Sequence, residues 1–226
     1  MVFLLGLFLV VFSGRALWTD WRDDVAARSE YAELRSSFHL YSERFTETET
    51  TLLADMSRFS EINPDFVGWI SITGTAVSYP VVQGEDNAHY LETTFAGERN
   101  PAGAIFMDYR AAQAFDTPVT LIHGHNMRDG AMFSQLTAFL DPGFLQEHTE
   151  ITVLTATGET LMYSVFYARR TDAWDSIYTL DFNDPASTGR FETAPPGTSR
   201  VLVLSTCTGD GDRHARVLVY AALRVV

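Results

Sequence analysis

The sequence predicts a mostly β protein in which about eight short strands close, or nearly close, into a barrel flanked by helices. Three observations carry that expectation. From Trp18 to Phe59 the chain is rich in Ala, Glu, Arg and Leu and contains neither Pro nor Gly, as a helical segment should be. After Asn63-Pro64-Asp65 it breaks into short apolar runs separated by turn residues. Two of those runs, Val201 to Leu204 and Val217 to Ala222, are apolar at nearly every position, which marks strands buried on both faces.

The elements follow in order. Tyr31, Leu34, Phe38, Tyr41 and Phe45 recur at helical spacing, and their rings are expected to pack on the barrel. The Thr/Glu stretch Thr46 to Thr51 predicts a break, with a second helix holding Leu52, Leu53, Met56 and Phe59. Asn63-Pro64 closes it, because proline disfavours the helical conformation in the residue before it. Trp69-Ile70-Ser71-Ile72, a Thr73-Gly74-Thr75 turn and Val77 to Val82 read as a hairpin. Further strands are expected over Gly103 to Tyr109 and Pro118 to His123. A helix through Met132, Phe133, Leu136, Phe139 and Leu140 is expected to end before Asp141-Pro142-Gly143. Ile151 to Ala156 and Thr160 to Ala168 form a second hairpin about Thr157-Gly158. The stretch Arg169 to Ser199 is long for a connection, which points to a functional loop, and a short helix is expected near Pro185 to Phe191.

Composition excludes several chemistries. The net charge of −13 argues against nucleic acid and anionic lipid surfaces as partners. All sixteen basic residues are arginine, so Schiff-base catalysis, a phosphate-gripping P-loop lysine and a Ser-Lys dyad are impossible. Met1 to Phe12 is almost wholly apolar but shorter than the roughly 20 residues that span a bilayer. Residues 1–18 read as a membrane anchor or its remainder, with a signal-peptide core or a buried segment as alternatives. Residues 19–62 are expected to form a helical segment packed on the barrel, and residues 63–226 the barrel itself. An anchor at this end places the barrel outside the cytoplasm.

Chemistry concentrates at strand ends. Cys207 is the single cysteine and follows Val201-Leu202-Val203-Leu204-Ser205-Thr206, just before a Gly/Asp loop. A lone thiol forms no internal disulfide, which leaves an inert buried thiol or a nucleophile. Of six histidines, His123 and His125 occupy a comparable strand end, in Leu121-Ile122-His123-Gly124-His125-Asn126-Met127, where Gly124 lets the backbone turn away. His is the usual partner that makes a thiol a thiolate. Arg216 opens the last strand and would lie near Cys207 if the two final strands pair, ready to hold a carbonyl or oxyanion; Arg213 lies in the polar loop. A metal reading of His123, His125 and Cys207 lacks a fourth ligand, so no metal and no cofactor are expected. The order His, Cys, Arg differs from the papain-like order, in which Cys comes first.

At these residues the chain resembles the sortase family, and its class B branch in particular. Leu204-Ser205-Thr206-Cys207 is similar to the Thr-Leu-x-Thr-Cys signature, with Val203 in place of the first Thr. Gly124-His125-Asn126-Met127 resembles the segment holding the sortase histidine, with His123 where a Tyr is usual, and Arg216 matches the arginine opening the final strand. Asn63 to Ile70, Tyr79 to Gly84 and Ile105 to Arg110 are further class B-like segments. The resemblance implies a closed eight-stranded barrel with N-terminal helices and a helix in the loop before the cysteine strand. It implies a Cys207 thioester formed on the Thr carbonyl of a surface protein's C-terminal sorting signal, with His125 as acid and base and Arg216 steadying the intermediate. A cell-wall precursor or pilin amine then resolves the thioester. It further implies that Asn87, Leu91, His123, Ile177, Tyr178, Ser205 and Thr206 line the peptide site. A cysteine endopeptidase and an inactive extracellular peptide-binding barrel are the competing readings.

Overall fold

The apolar runs pair into one sheet that closes on itself. The computed structural model describes residues 2–42, 49–112 and 115–224. Its strands are β1 (Phe66–Ile72), β2 (Ser78–Val82), β3 (Ile105–Met107), β4 (Val119–His123), β5 (Glu150–Thr155), β6 (Thr160–Asp172), β7 (Val201–Cys207) and β8 (Ala215–Leu223). Round the barrel they run β1-β2-β3-β4-β7-β8-β6-β5, and β5 pairs back to β1. β2–β3 and β4–β7 are parallel, and the other pairs are antiparallel. Closure removes the exposed sheet edges at which other chains could add. β7 and β8, the two continuous apolar runs, sit side by side and bury every residue from Val201 to Leu204 and from Val217 to Ala222.

Two helices precede the barrel, α1 (Val2–Ser42) and α2 (Glu49–Ile62). α1 starts well before Trp18 and runs without interruption through the apolar opening, so position 18 is not an element boundary. Of the expected break over Thr46 to Thr51, residues 46–48 lie outside the described residues, and Glu49 to Thr51 already belong to α2. Where the rings are described they pack on the barrel as expected; the Tyr41 side chain and Phe45 lie outside the described residues. Tyr31 meets Tyr79 edge-on, with ring centroids 5.5 Å apart, Phe38 stacks on Trp69 at 4.2 Å, and Phe59 joins Phe66, Trp69 and Phe95. The Tyr31 hydroxyl donates to the Gly103 carbonyl at 2.6 Å, tying α1 to the loop before β3. Among the described residues no helix is long and apolar enough to cross a membrane.

The structure departs from the sequence expectation at Asp141-Pro142. The first helix ends before Asp141 as expected, but a second helix follows at once. A 3₁₀ helix (Ser134–Leu140) stops there and α3 (Pro142–Glu147) begins, with Asp141 accepting from the Phe144 amide at 2.9 Å. Proline is well placed at the first helical position because its missing amide donor would be unpaired there anyway. β3 is shorter than expected, while β6 extends to Asp172 because it pairs along the whole of β8. The 173–200 connection holds two 3₁₀ helices, Ser176–Thr179 and Pro185–Arg190, the second at the predicted place.

Candidate active site

Cys207 and Arg216 are direct partners in the β7–β8 register. On the other side of Arg216, β6 places Thr171 opposite it. Side chains alternate along a strand, so Ser205 and Cys207 share one face and Thr206 points to the other. The contacts agree. Ser205 Oγ lies 2.8 Å from the Tyr178 hydroxyl on the 173–200 connection, Cys207 is half-buried, and Thr206 is buried with its hydroxyl unpartnered among the described residues. Thr206 therefore does not join the cysteine's face. Its side chain belongs to the barrel core, which corrects the expectation that it lines the peptide site.

His125 reaches the same end of the barrel from β4. β4 runs parallel to β7 with His123 opposite Ser205, and the ladder continues past the strand end: the Gly124 amide donates to the Ser205 carbonyl at 3.1 Å. The Asn126 side-chain amide then donates to the Cys207 carbonyl at 2.9 Å. The loop carrying His125 is thus stitched to the cysteine strand on both sides of the histidine. Gly124 is needed for room rather than for its backbone angles. A Cβ there would come within 2.4 Å of Ile105 Cδ1 and 2.7 Å of the Phe133 ring.

The imidazole is oriented by a backbone group. His125 Nε2 lies 2.8 Å from the Leu91 carbonyl. A carbonyl only accepts, so Nε2 carries the hydrogen and Nδ1 is the nitrogen that gains or loses a proton while this contact holds. Leu91 is held by the preceding corner: Asn63 donates to the Tyr90 hydroxyl at 3.1 Å and the Phe95 carbonyl at 2.9 Å, and Tyr90 donates to Asp65 at 2.7 Å. Gly103, at φ +57°, lets its backbone pass so close that a Cβ would sit 2.8 Å from the Leu91 carbonyl oxygen.

Arg216 donates through Nη1 to the Arg213 carbonyl at 2.8 Å and the Ala215 carbonyl at 3.1 Å. Its Nε and Nη2 have no hydrogen-bond partner among the described residues, and two donors of the fork stay open for an acceptor. Burial pushes the Tyr178 hydroxyl up, while its bond to Ser205 and the Arg216 charge pull the other way. Its bond to Ser205 Oγ puts the Tyr178 hydroxyl on the face that Ser205 shares with Cys207. Its neighbour Ile177 is buried and instead lines a cavity of about 310 Å³ behind it, with Arg169, Asp175, Phe191 and Tyr220. Ile177 is not brought to the cysteine's face.

Two residues that chemistry at strand ends did not single out link several of the expected site residues. Asp108 is buried, and its carboxylate accepts from Arg110 at 2.8 Å and Asn87 at 2.8 Å and faces His123 Nε2 at 3.4 Å. Burial alone would raise this carboxyl, but the hydrogen bonds from Arg110 and His123 hold it well below the usual carboxylate range. Arg110 in turn donates to the Tyr178 carbonyl at 2.9 Å. Both residues lie in the Ile105 to Arg110 segment, whose strand-then-charge pattern was the available signal. His123 stacks on Phe106 with ring centroids 5.0 Å apart and faces Tyr178 at 6.2 Å. Among the described residues no cluster of His, Cys, Asp and Glu could hold a metal.

A half-buried thiol, a guanidinium directly across the ladder and an oriented imidazole at one end of a closed barrel define a thiol-based acyl-transfer centre. Comparison with known proteins agrees. A model of the sortase domain matches residues 70–224. Sortase B of Listeria monocytogenes is 32% identical over 169 residues, covering 70% of this chain and 69% of that protein. Sortase B of Staphylococcus aureus is 29% identical over 216 residues, covering 90% and 86%. Two solved structures, a substrate complex of the Staphylococcus aureus enzyme and a sortase B complex with triglycine, each superpose with a TM-score of 0.77 at 28% identity, covering 90% of this chain and 99% of theirs. The chain belongs to the sortase family, in its class B branch, and is a cysteine transpeptidase.

Proposed function

We propose that this enzyme cleaves a C-terminal sorting signal after its Thr and transfers the acyl group to a cell-wall or pilin amine. Cys207 is the nucleophile, His125 the acid and base, and Arg216 the electrostatic support. The Cys207 thiolate adds to the Thr carbonyl carbon, and the open donors of Arg216 stabilise the oxyanion that forms. The carbon–nitrogen bond breaks as His125 passes a proton to the leaving amine, giving a thioester. An incoming amine attacks that thioester, His125 takes its proton, an amide forms and the thiolate is restored. The register pairing of Cys207 with Arg216 is the observation that carries this reading. The substrate and triglycine complexes of the sortase B relatives support a sorting peptide as donor and an amine as acceptor.

On this reading Asn87, Leu91, His123, Tyr178 and Ser205 contribute to the peptide site, and His123 gives it a different character from a Tyr. The barrel works on the outer side of the cell membrane, where surface proteins meet wall amines, with the apolar start of the chain as its attachment. Mass spectrometry of the domain incubated with sorting peptides and triglycine tests the transfer. A product carrying triglycine at the Thr carboxyl is expected, and product lacking the added amine would assign the enzyme to hydrolysis. Cys207→Ala is expected to lose more than about a thousandfold in turnover with the fold retained.

A further inference from the structure

Three separate chain segments supply polar side chains near the cysteine's face, and one buried carboxylate touches two of them directly and reaches the third through Arg110. Asp108 Oδ2 accepts from Asn87 Nδ2 at 2.8 Å, from the β2–β3 connection. The same oxygen faces His123 Nε2 at 3.4 Å, at the end of β4. Both carboxylate oxygens accept from Arg110, at 2.8 Å each, and Arg110 donates onward to the Tyr178 carbonyl at 2.9 Å, on the 173–200 connection. Arg110 also packs over the Phe182 ring at 4.7 Å, which steadies the guanidinium against that connection. Asn87 is locked from its other end, its Oδ1 accepting from the Tyr109 amide at 3.1 Å. The Asp108 side chain is only 1% exposed, so it meets no peptide itself.

We infer that Asp108 is a positioning residue: it fixes Asn87, His123 and, through Arg110, Tyr178 relative to one another, and so sets the shape and spacing of the peptide site without touching substrate. The inference rests on the transpeptidase reading of that site. The physical logic is that a carboxylate offers about four acceptor positions, so one buried anion can satisfy donors arriving from several elements at once. No neutral side chain does this: Asn in its place keeps one acceptor oxygen and turns an NH₂ group toward the donors. The contact with Arg110 is the strong one, since it is bidentate and charge-assisted, and the longer His123 contact only orients the ring. Nothing in the arrangement bears on Cys207 directly. The effect of losing it therefore falls on peptide binding and leaves the thiol's own reactivity alone.

The test uses Asp108→Asn and Arg110→Ala in the full chain, with cleavage of a sorting peptide to which the wild type responds. Expected for Asp108→Asn is a KM raised about tenfold, kcat within about threefold, and a Cys207 alkylation rate with iodoacetamide within about twofold of the wild type. Arg110→Ala is expected to raise KM less, and to add little in the Asp108→Asn background, because both remove the same link. A folded Asp108→Asn protein with wild-type KM overturns the inference, as does alkylation falling in step with kcat/KM, which would mean a general distortion. If Asp108→Asn does not fold, an unchanged KM in Arg110→Ala overturns it. A wild type that cleaves no sorting peptide would instead sink the transpeptidase reading on which the inference stands.

Discussion

The Asn126 side-chain amide donates to the carbonyl of Cys207 at 2.9 Å, and with the Gly124-to-Ser205 bond at 3.1 Å it brackets His125. The imidazole is therefore registered to the nucleophile's own strand. Asn126→Ala removes the outer bond. The expected cost is about 1 kcal/mol of stability and a kcat lowered about tenfold with KM nearly unchanged, because the loss is of catalytic geometry. Steady-state kinetics on a sorting peptide measures this, and kcat close to that of the wild type would show that the bracket is dispensable.

Arg216→Lys should be strongly impaired, with kcat/KM down by about a hundredfold or more. The native guanidinium spends one nitrogen on the Arg213 and Ala215 carbonyls and keeps two others open. An ammonium is a single point on a shorter reach, so it cannot anchor to those carbonyls and serve the oxyanion together. Near-normal turnover in this variant would remove Arg216 from the chemistry.

Gly124→Ala tests crowding beneath the active-site loop. The added methyl would meet Ile105 Cδ1 at 2.4 Å and Phe133 at 2.7 Å in a packed core. Overpacking of this kind costs about 1–3 kcal/mol. For a domain of this size each kcal/mol lowers Tm by roughly 2–4 °C. Thermal melting followed by circular dichroism reads the loss, and activity should fall with it because the same loop carries His125.

Acid stability should depend on Asp108. Its folded-state carboxyl is held below the ordinary range, so it contributes stability above the unfolded value of about 4, and that contribution disappears as pH falls toward the folded value. Wild type is expected to exceed Asp108→Asn by about 2 kcal/mol at pH 7, with the gap narrowing toward pH 3. Denaturant titrations of both proteins at the two pH values decide it. Taking the difference matters, since Asp129 and Asp175 are also lowered and make the wild type acid-sensitive on their own. A gap that stays constant with pH would refute the linkage.

Strand identity was legible because burial on both faces leaves the unbroken apolar runs of β7 and β8, and alternation marks the hairpins. The proposed catalytic trio was picked out for a related reason: each member sits at one end of such a run. Three features were harder to read. Asp141-Pro142 looked like a terminator, yet the same pair is a good N-cap and first helical residue, so local chemistry alone does not choose between ending one helix and starting the next. The resemblance implies Thr206 at the peptide site, whereas the two-residue period of a strand sends it to the face opposite Cys207. The segment holding Asp108 was noticed but its role was not, because its partners Asn87, His123 and the Arg110–Tyr178 link come from segments far apart in sequence.

β7 lies in the interior of the sheet order, laddered to β4 as far as Ser205 and to β8 as far as Cys207. Its amides are freed only when the barrel itself opens, which places them among the slowest to exchange with solvent deuterium. The sulfur is thus mounted at the end of a strand that is laddered on both sides up to Ser205. Admitting one chain, releasing its tail and welcoming a second must be accomplished by the segments over it, 173–200 and 208–214, while the anvil beneath stays still.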